Sequence, residues 1–381
     1  MQLISQCIKN LKTLQASGLK NFLKMQSLKI LMSNPLFNFL PGPVTIKKEI
    51  LEEFSKIPIS HRLTHFVNDV SQLRTDLCDM VSANYCQIIT GSGTLANDII
   101  ALQLKSLTGQ GLVLNSGEFG GRLIDHASRA QLRFKEFSIP WGDNFNLGEI
   151  EKTLQKNPNI KWIWLTHCET SSGKITDLSE LKNICSKQKV KIVLDCISTI
   201  GNMPVNLENV YLASAVSGKG IGSFPGLALV FSSYKPIISN NLPRNLDLGL
   251  YQEKQGIPFT VSSNLIYALQ VAVKLIDPNR SFLEAVEASN FLRKNIADLG
   301  LNVLGDLSDS APAVTTIQLP KVLNSIKIGN KLKHYGFELS FNSEYLVKRN
   351  LIQICLMGNW SKSGLKKFPA TLKKVSSDKI N

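Results

Sequence analysis

From Tyr85 onward, short apolar runs alternate with longer stretches in which apolar side chains return every three or four positions. The short runs predict strands over 85–90, 111–115, 134–139, 162–167, 191–195, 212–216 and 227–231. The longer stretches predict helices over 95–107, 122–129, 147–154 and 178–188. Strands that alternate with helices imply βαβ units and a mostly parallel sheet covered on both faces, with ligands at the carboxyl ends of the strands. After Pro236 the rhythm changes. A loop rich in Asn, Pro and Gly over 239–256 leads to helical patterns over 264–276 and 281–299 and strand-like runs over 314–318 and 351–356, a smaller α+β unit. The expected organisation is a basic leader (1–34) outside the fold, a large α/β domain (35–255, with 35–60 leading in) and a small C-terminal domain (256–381). No internal repeat is present, which excludes solenoids.

The composition changes this picture little. A chain of 381 residues with 43% apolar content can bury a sizeable core, and neither a small stapled module nor a disordered chain fits. Seven scattered cysteines without a CxxC pair imply reduced thiols, a cytoplasmic setting and no metal site. The net charge of +14 sits mainly at the two ends: Lys9, Lys12, Lys20, Lys24 and Lys29 in an acid-free leader, and six lysines after Trp360. Solvated basic ends explain this without nucleic acid or a membrane as partner. The leader is apolar, basic and free of arginine, which suits either a targeting segment or an extension ahead of a start at Met25 or Met32. No apolar stretch reaches the roughly 18 residues a membrane span needs.

Four features fall at strand ends. Thr90-Gly-Ser-Gly-Thr94 joins a strand to a helix, where first-turn N–H groups can hold an anion, although a plain turn would have the same sequence. His167-Cys-Glu-Thr-Ser-Ser-Gly173 offers hydroxyls and one carboxylate to the same space. Asp195 closes the apolar run Lys191-Ile-Val-Leu-Asp195; a carboxylate there is costly unless paired, so it either holds a cationic group or caps a helix. Lys219, 24 residues later and bracketed by glycines, is an amine placed to reach into a cleft.

The ordered set Leu40-Pro-Gly-Pro43, Gly91-Ser-Gly-Thr94, Phe119-Gly-Gly-Arg122, His167–Gly173, Asp195-Cys-Ile-Ser198 and Ser217-Gly-Lys219 resembles the class V aminotransferases, in particular the branch of alanine–glyoxylate, serine–pyruvate and 2-aminoethylphosphonate–pyruvate transaminases. The resemblance runs from about residue 38 to 360. It implies a type I pyridoxal-phosphate transferase fold and an enzyme that moves an amino group from a small amine or amino acid to a 2-oxo acid. Lys219 would form the Schiff base with pyridoxal 5'-phosphate and shuttle the proton, and Asp195 would pair with the pyridine nitrogen. Ser92, Gly93, Thr94 and Ser217 would serve the phosphate, Phe119 and Ile197 the two ring faces, and Thr170 the 3′ oxygen. The resemblance also implies a homodimer with shared sites, Thr260 reaching the neighbouring subunit's cofactor, and a substrate mouth lined at Gly42.

Two departures stand out. Gln353 occupies the place where this family carries an arginine that clamps the substrate carboxylate, and Gly218 replaces a larger polar residue before the lysine. Either Arg349, four residues upstream and on the same strand face if the strand extends that far, supplies the clamp, or the donor is an amino sugar, amino alcohol or phosphonate. Within the cofactor class, the rival reading is a lyase or cysteine desulfurase; from another class, it is a silent binding module on the same fold.

Overall fold

The computed structural model describes residues Phe37–Ser377, so the basic leader with Cys7 and the last four residues lie outside the described residues. The main sheet has seven strands: β1 (Tyr85–Thr90), β2 (Gln110–Asn115), β3 (Phe134–Ser138), β4 (Ile160–Thr166), β5 (Lys191–Asp195), β6 (Val210–Val216) and β7 (Leu227–Ser232). Their spatial order is β1-β7-β6-β5-β4-β2-β3. All neighbours run parallel except β7, which is antiparallel to both β1 and β6.

Successive side chains of a strand point to opposite faces, and β4 shows how both faces are filled. Trp162 and Trp164 pack with Ile99, Ile100 and Leu123 on one side, whereas Ile163 and Leu165 join Leu73, Ile150, Leu181 and Leu269 on the other. A strand buried on both faces must be apolar almost throughout, which is why these runs lack the alternation of a half-exposed sheet.

The helix Ser263–Leu275, expected in the second unit, places Ile266, Ala268, Leu269 and Ala272 in the core under the main sheet. The second core begins with the helix Pro278–Ala297 and gathers Leu292, Ile296, Ile317, Ile352, Ile354, Phe368 and the distant Phe37 and Phe39. By core membership the chain changes allegiance near Asp277 and not at residue 256, because α-helical surface and not loop composition decides which sheet a segment covers. The lysine-rich segment after Trp360, expected to be a solvated tail, is for most of its length the helix Lys362–Ser377, which buries Leu365, Phe368, Leu372 and Val375. Its lysines lie on the opposite stripe of an amphipathic helix. Among the described residues no helix is long and apolar enough to cross a membrane, no cluster could hold a metal ion, and six cysteines are free and buried.

Candidate active site

The sheet's carboxyl edge ends on a cavity of about 370 Å³ whose wall contains Gly91, Thr166, Asp195 and Val216, residues at or just past the ends of β1, β4, β5 and β6. Four strands thus deliver their terminal residues to one place.

Asp195 is almost wholly buried. Its carboxylate accepts from the Asn97 amide at 2.8 Å and from the Ile197 N–H at 2.9 Å, and Asn97 in turn accepts from the Ser214 hydroxyl at 2.7 Å. Burial pushes its pKa up; the Asn97 and Ile197 hydrogen bonds, then the charges of Lys219 and His126, act the other way. Lys219 stands opposite, on the turn after β6. Its Nζ donates to the Ser198 hydroxyl at 3.1 Å, and Thr170 Oγ1 donates to the same oxygen at 2.6 Å. Desolvation lowers the Lys219 pKa, with Asp195 opposing, so the neutral amine is reached more easily than in water.

The glycines around Lys219 have a steric cause. A Cβ on Gly218 would stand 2.8 Å from the Pro225 Cα, and one on Gly220 would stand 2.5 Å from the Ile200 carbonyl oxygen. The loop before β7 and the turn after Asp195 therefore pass directly against the lysine's backbone, which leaves no room for a side chain at Gly218 or Gly220.

Ser92 caps the helix Gly93–Leu104 by accepting from the Leu95 N–H at 3.4 Å, and Gly93 lies so close to Ile197 that a Cβ would meet it at 2.7 Å. Ser92, Gly93, Thr94, Phe119, Thr170, Ile197 and Gly42 all line the cavity with Asp195 and Lys219. Glu169, expected to face the same space, turns away: it accepts from the Phe119, Gly120 and Ser171 N–H groups and the Ser171 hydroxyl, and so fixes the first turn of the helix Glu118–Arg129 that carries Phe119.

Four expected residues are not on the cavity wall. Ser217 is fully buried and donates to the Phe224 carbonyl at 2.6 Å, closing the lysine loop. Thr260 is exposed on the loop before the helix Ser263–Leu275. Gln353 is fully buried, with its amide nitrogen donating at 2.8 Å to both the Thr170 carbonyl and the Thr316 hydroxyl. Arg349 does not extend the strand: it ends the helix Glu344–Arg349, the left-handed Asn350 intervenes, and its guanidinium lies 4.3 Å over the Trp141 ring. Strand parity cannot relate two residues on different elements, and neither side chain lines the cavity. Gln353 instead braces the wall at Thr170. Gln353→Leu is expected to cost about 1–3 kcal/mol by stranding the Thr170 carbonyl and Thr316 hydroxyl. Chemical denaturation should read this loss while the Michaelis constants for substrates stay within about twofold.

Sequence reasoning passed over Asn97, His126 and Ser198 as site residues, and quoted Arg122 without a role. Asn97 carried a signal: a polar residue on an otherwise apolar helix face, one turn past a glycine-rich strand end.

A family model for class V aminotransferases matches residues 48–236. An uncharacterised aminotransferase of Methanocaldococcus jannaschii is 28% identical across 62% of this chain and 65% of its own length. The 2-aminoethylphosphonate–pyruvate transaminase of Pseudomonas putida is 24% identical across 76% of this chain and 83% of its own length. Among solved structures, alanine–glyoxylate aminotransferase of Nostoc superposes with a TM-score of 0.81 at 23% identity, covering 89% of this chain and 95% of that one. Ureidoglycine–glyoxylate aminotransferase of Bacillus subtilis superposes with a TM-score of 0.82 at 20% identity, covering 90% and 93%. These two likenesses carry the fold, and the family model covers the segment that holds both Asp195 and Lys219. The chain belongs to the class V aminotransferase family of pyridoxal-phosphate-dependent enzymes.

Proposed function

We propose that this aminotransferase moves an amino group from a small amine or amino acid to a 2-oxo acid, with Lys219 as the covalent attachment point and proton carrier. The observation that carries the reading is the pair of opposite, solvent-shielded charges on one cavity wall: Asp195, whose close partners among the described residues are an amide and an N–H, and Lys219, whose Nζ is held by a hydroxyl. Each is costly alone. A flat group with a protonated ring nitrogen and an aldehyde satisfies both, and its phosphate fits the helix start at Ser92, Gly93 and Thr94.

When bound, pyridoxal phosphate supplies an electrophilic carbon and an electron-accepting ring. The chain does the rest. Asp195, held rigid by Asn97 and Ser214, would keep the proton on the ring nitrogen. Phe119 and Ile197, both on the cavity wall, would hold the ring, and Thr170 supports Ser198, which aims the Lys219 amine. Lys219 would then take the proton from the donor's carbon and deliver it to the carbon that the cofactor's aldehyde supplies, a task for which its lowered pKa suits it.

Thr260 supports the shared-site dimer. It is exposed on its own subunit, as a residue serving a neighbour's cofactor must be, and large apolar side chains at Ile57 and Ile237 are also exposed. A desulfurase needs a thiol that can leave the protein surface. The described cysteines are buried, and burial pushes Cys355 up to about 12.

The test is a screen of amino donors against glyoxylate, pyruvate and 2-oxoglutarate with purified holoenzyme, following the visible cofactor band and the amino product. Turnover of at least one pair is expected. Sulfide release from cysteine without any amino transfer would overturn the proposal.

A further inference from the structure

With Gln353 and Arg349 both engaged elsewhere, the acid group of a 2-oxo acid needs another cation. The described lining of the cavity contains three basic side chains, Lys219, His126 and Arg122. His126 is already paired, its Nδ1 standing 2.6 Å from Asp98. Lys219 is taken by the cofactor. Arg122 differs from both. Its side chain is 56% exposed, and its partner is Glu118 on the same helix face at 3.3 Å, itself 39% exposed. An ion pair of that kind between solvated side chains holds its partners weakly and exchanges readily for a better-placed anion.

Arg122 is also placed. Its guanidinium carbon lies 4.8 Å from the Phe119 ring centroid, while Lys219 Nζ lies 5.6 Å from the same centroid, so the two cations are within about 10 Å of each other. Stacking on the aromatic ring restricts a long side chain that would otherwise lose more freedom on binding. The guanidinium's field reaches the reacting amine, since Arg122 is one of the charges that lower the Lys219 pKa. A 2-oxo acid carries its carboxylate one bond from the carbon that receives the amino group. With hydrogen bonds of about 2.8 Å to a guanidinium, it extends from the reacting carbon toward Arg122.

We propose that Arg122 is the substrate-carboxylate anchor, accepting the α-carboxylate of the 2-oxo acid in exchange for Glu118. This rests on the transaminase reading above. The anchor comes from the helix Glu118–Arg129 over the cofactor-facing Phe119, and not from the second core's strand at Gln353. It also removes the need for a donor without a carboxylate, since the product amino acid would use the same contact.

The experiment compares the parent, Arg122→Gln, Arg122→Lys and Glu118→Gln as holoenzymes. Michaelis constants are measured for glyoxylate, pyruvate and 2-oxoglutarate, and dissociation constants for the same acids by titration of the visible cofactor band. Arg122→Gln should weaken glyoxylate and pyruvate by roughly ten- to hundredfold, with kcat changed by less than about threefold and cofactor affinity unaltered. Arg122→Lys should recover part of the loss. Glu118→Gln should tighten the acids by about two- to threefold by removing the competitor.

Unchanged constants for glyoxylate and pyruvate in Arg122→Gln would overturn the proposal. So would a loss confined to 2-oxoglutarate, which would place Arg122 at a distal acid group, or loss of cofactor from the variant. A parent that binds these acids but never transfers an amino group would overturn the transaminase reading and leave the Arg122 arm standing on its dissociation constants. A parent that does neither overturns both.

Discussion

Lys219→Ala is expected to lower amino transfer by at least about 10³-fold while leaving a folded protein that still binds pyridoxal phosphate. The side chain has two tasks that no neighbour can take over. Among the described groups on the cavity wall it is the one primary amine, so covalent attachment ends with it. In the proposed reaction it is also the base, and a positioned acid–base group contributes roughly 10²–10⁴ in rate. Nearby Ser198 and Thr170 hydroxyls cannot substitute at neutral pH, because their protons are far less acidic than an ammonium's. Folding should survive. Burial disfavours the charged amine, so removing it relieves a desolvation cost in the cofactor-free chain. Borohydride treatment of the parent should fix the cofactor on the peptide containing Lys219, and the alanine variant should lose its cofactor on denaturation. Recovery of a reduced adduct on another lysine, or turnover within tenfold of the parent, would remove Lys219 from this role.

The large sheet was legible because of how it is buried. A strand covered on both faces has to be apolar along its length, so Lys191–Asp195 and the helix Leu178–Gln188 that precedes it have the boundaries their pattern predicts. The proposed catalytic pair stands out in the sequence for a related reason: Asp195 and Lys219 are charged residues where an apolar run stops, and such residues need a cause.

What escaped depended on three-dimensional neighbours. The helix Thr64–Val81 buries Phe66, Val70, Leu73, Leu77 and Val81, a regular stripe, yet its ends carry no side-chain cap to announce it. The helix Lys362–Ser377 was hidden by its lysines and by Pro369 inside it. Gln353 and Arg349 show the deepest limit. Their even separation suggests one strand face, but Asn350 adopts a left-handed conformation that ends one element before the next begins at Leu351. A one-residue change of backbone state cancels the parity argument, and no count along the chain reveals it. Asn97, Arg122 and His126 lie on helices whose rotation about their axes decides whether a polar side chain meets solvent or the cavity, and that rotation is set by packing against the sheet.

Asp195→Asn should separate cofactor chemistry from stability, with the two moving in opposite directions. The carboxylate's pKa is raised mainly by burial, so in the cofactor-free protein the ionised group is a burden at neutral pH. A raised folded pKa means that the folded state binds the proton more tightly than the unfolded one, whose Asp titrates at about 3.9. The resulting stability is present below that value and is lost as pH rises through the folded pKa. The asparagine variant escapes this loss, so without cofactor it should be more stable than the parent at pH 7, and the difference should vanish in acid. The neighbouring hydrogen bonds can adapt. The substituted side chain would keep its carbonyl oxygen on the Ile197 N–H and present its amide nitrogen to Asn97. By turning over, Asn97 would offer its own oxygen, with the Ser214 hydroxyl changing from donor to acceptor. The cofactor loses by the same substitution. Without a negative charge at this point, the ring nitrogen no longer retains its proton, and the electron sink weakens. Loss of one such preorganised electrostatic partner costs roughly 10²–10³ in kcat. Denaturation of both cofactor-free proteins between pH 3 and 8, alongside single-turnover rates, measures the two effects separately. Near-normal turnover in Asp195→Asn would leave Asp195 as nothing more than an acceptor for the Asn97 amide and the Ile197 N–H.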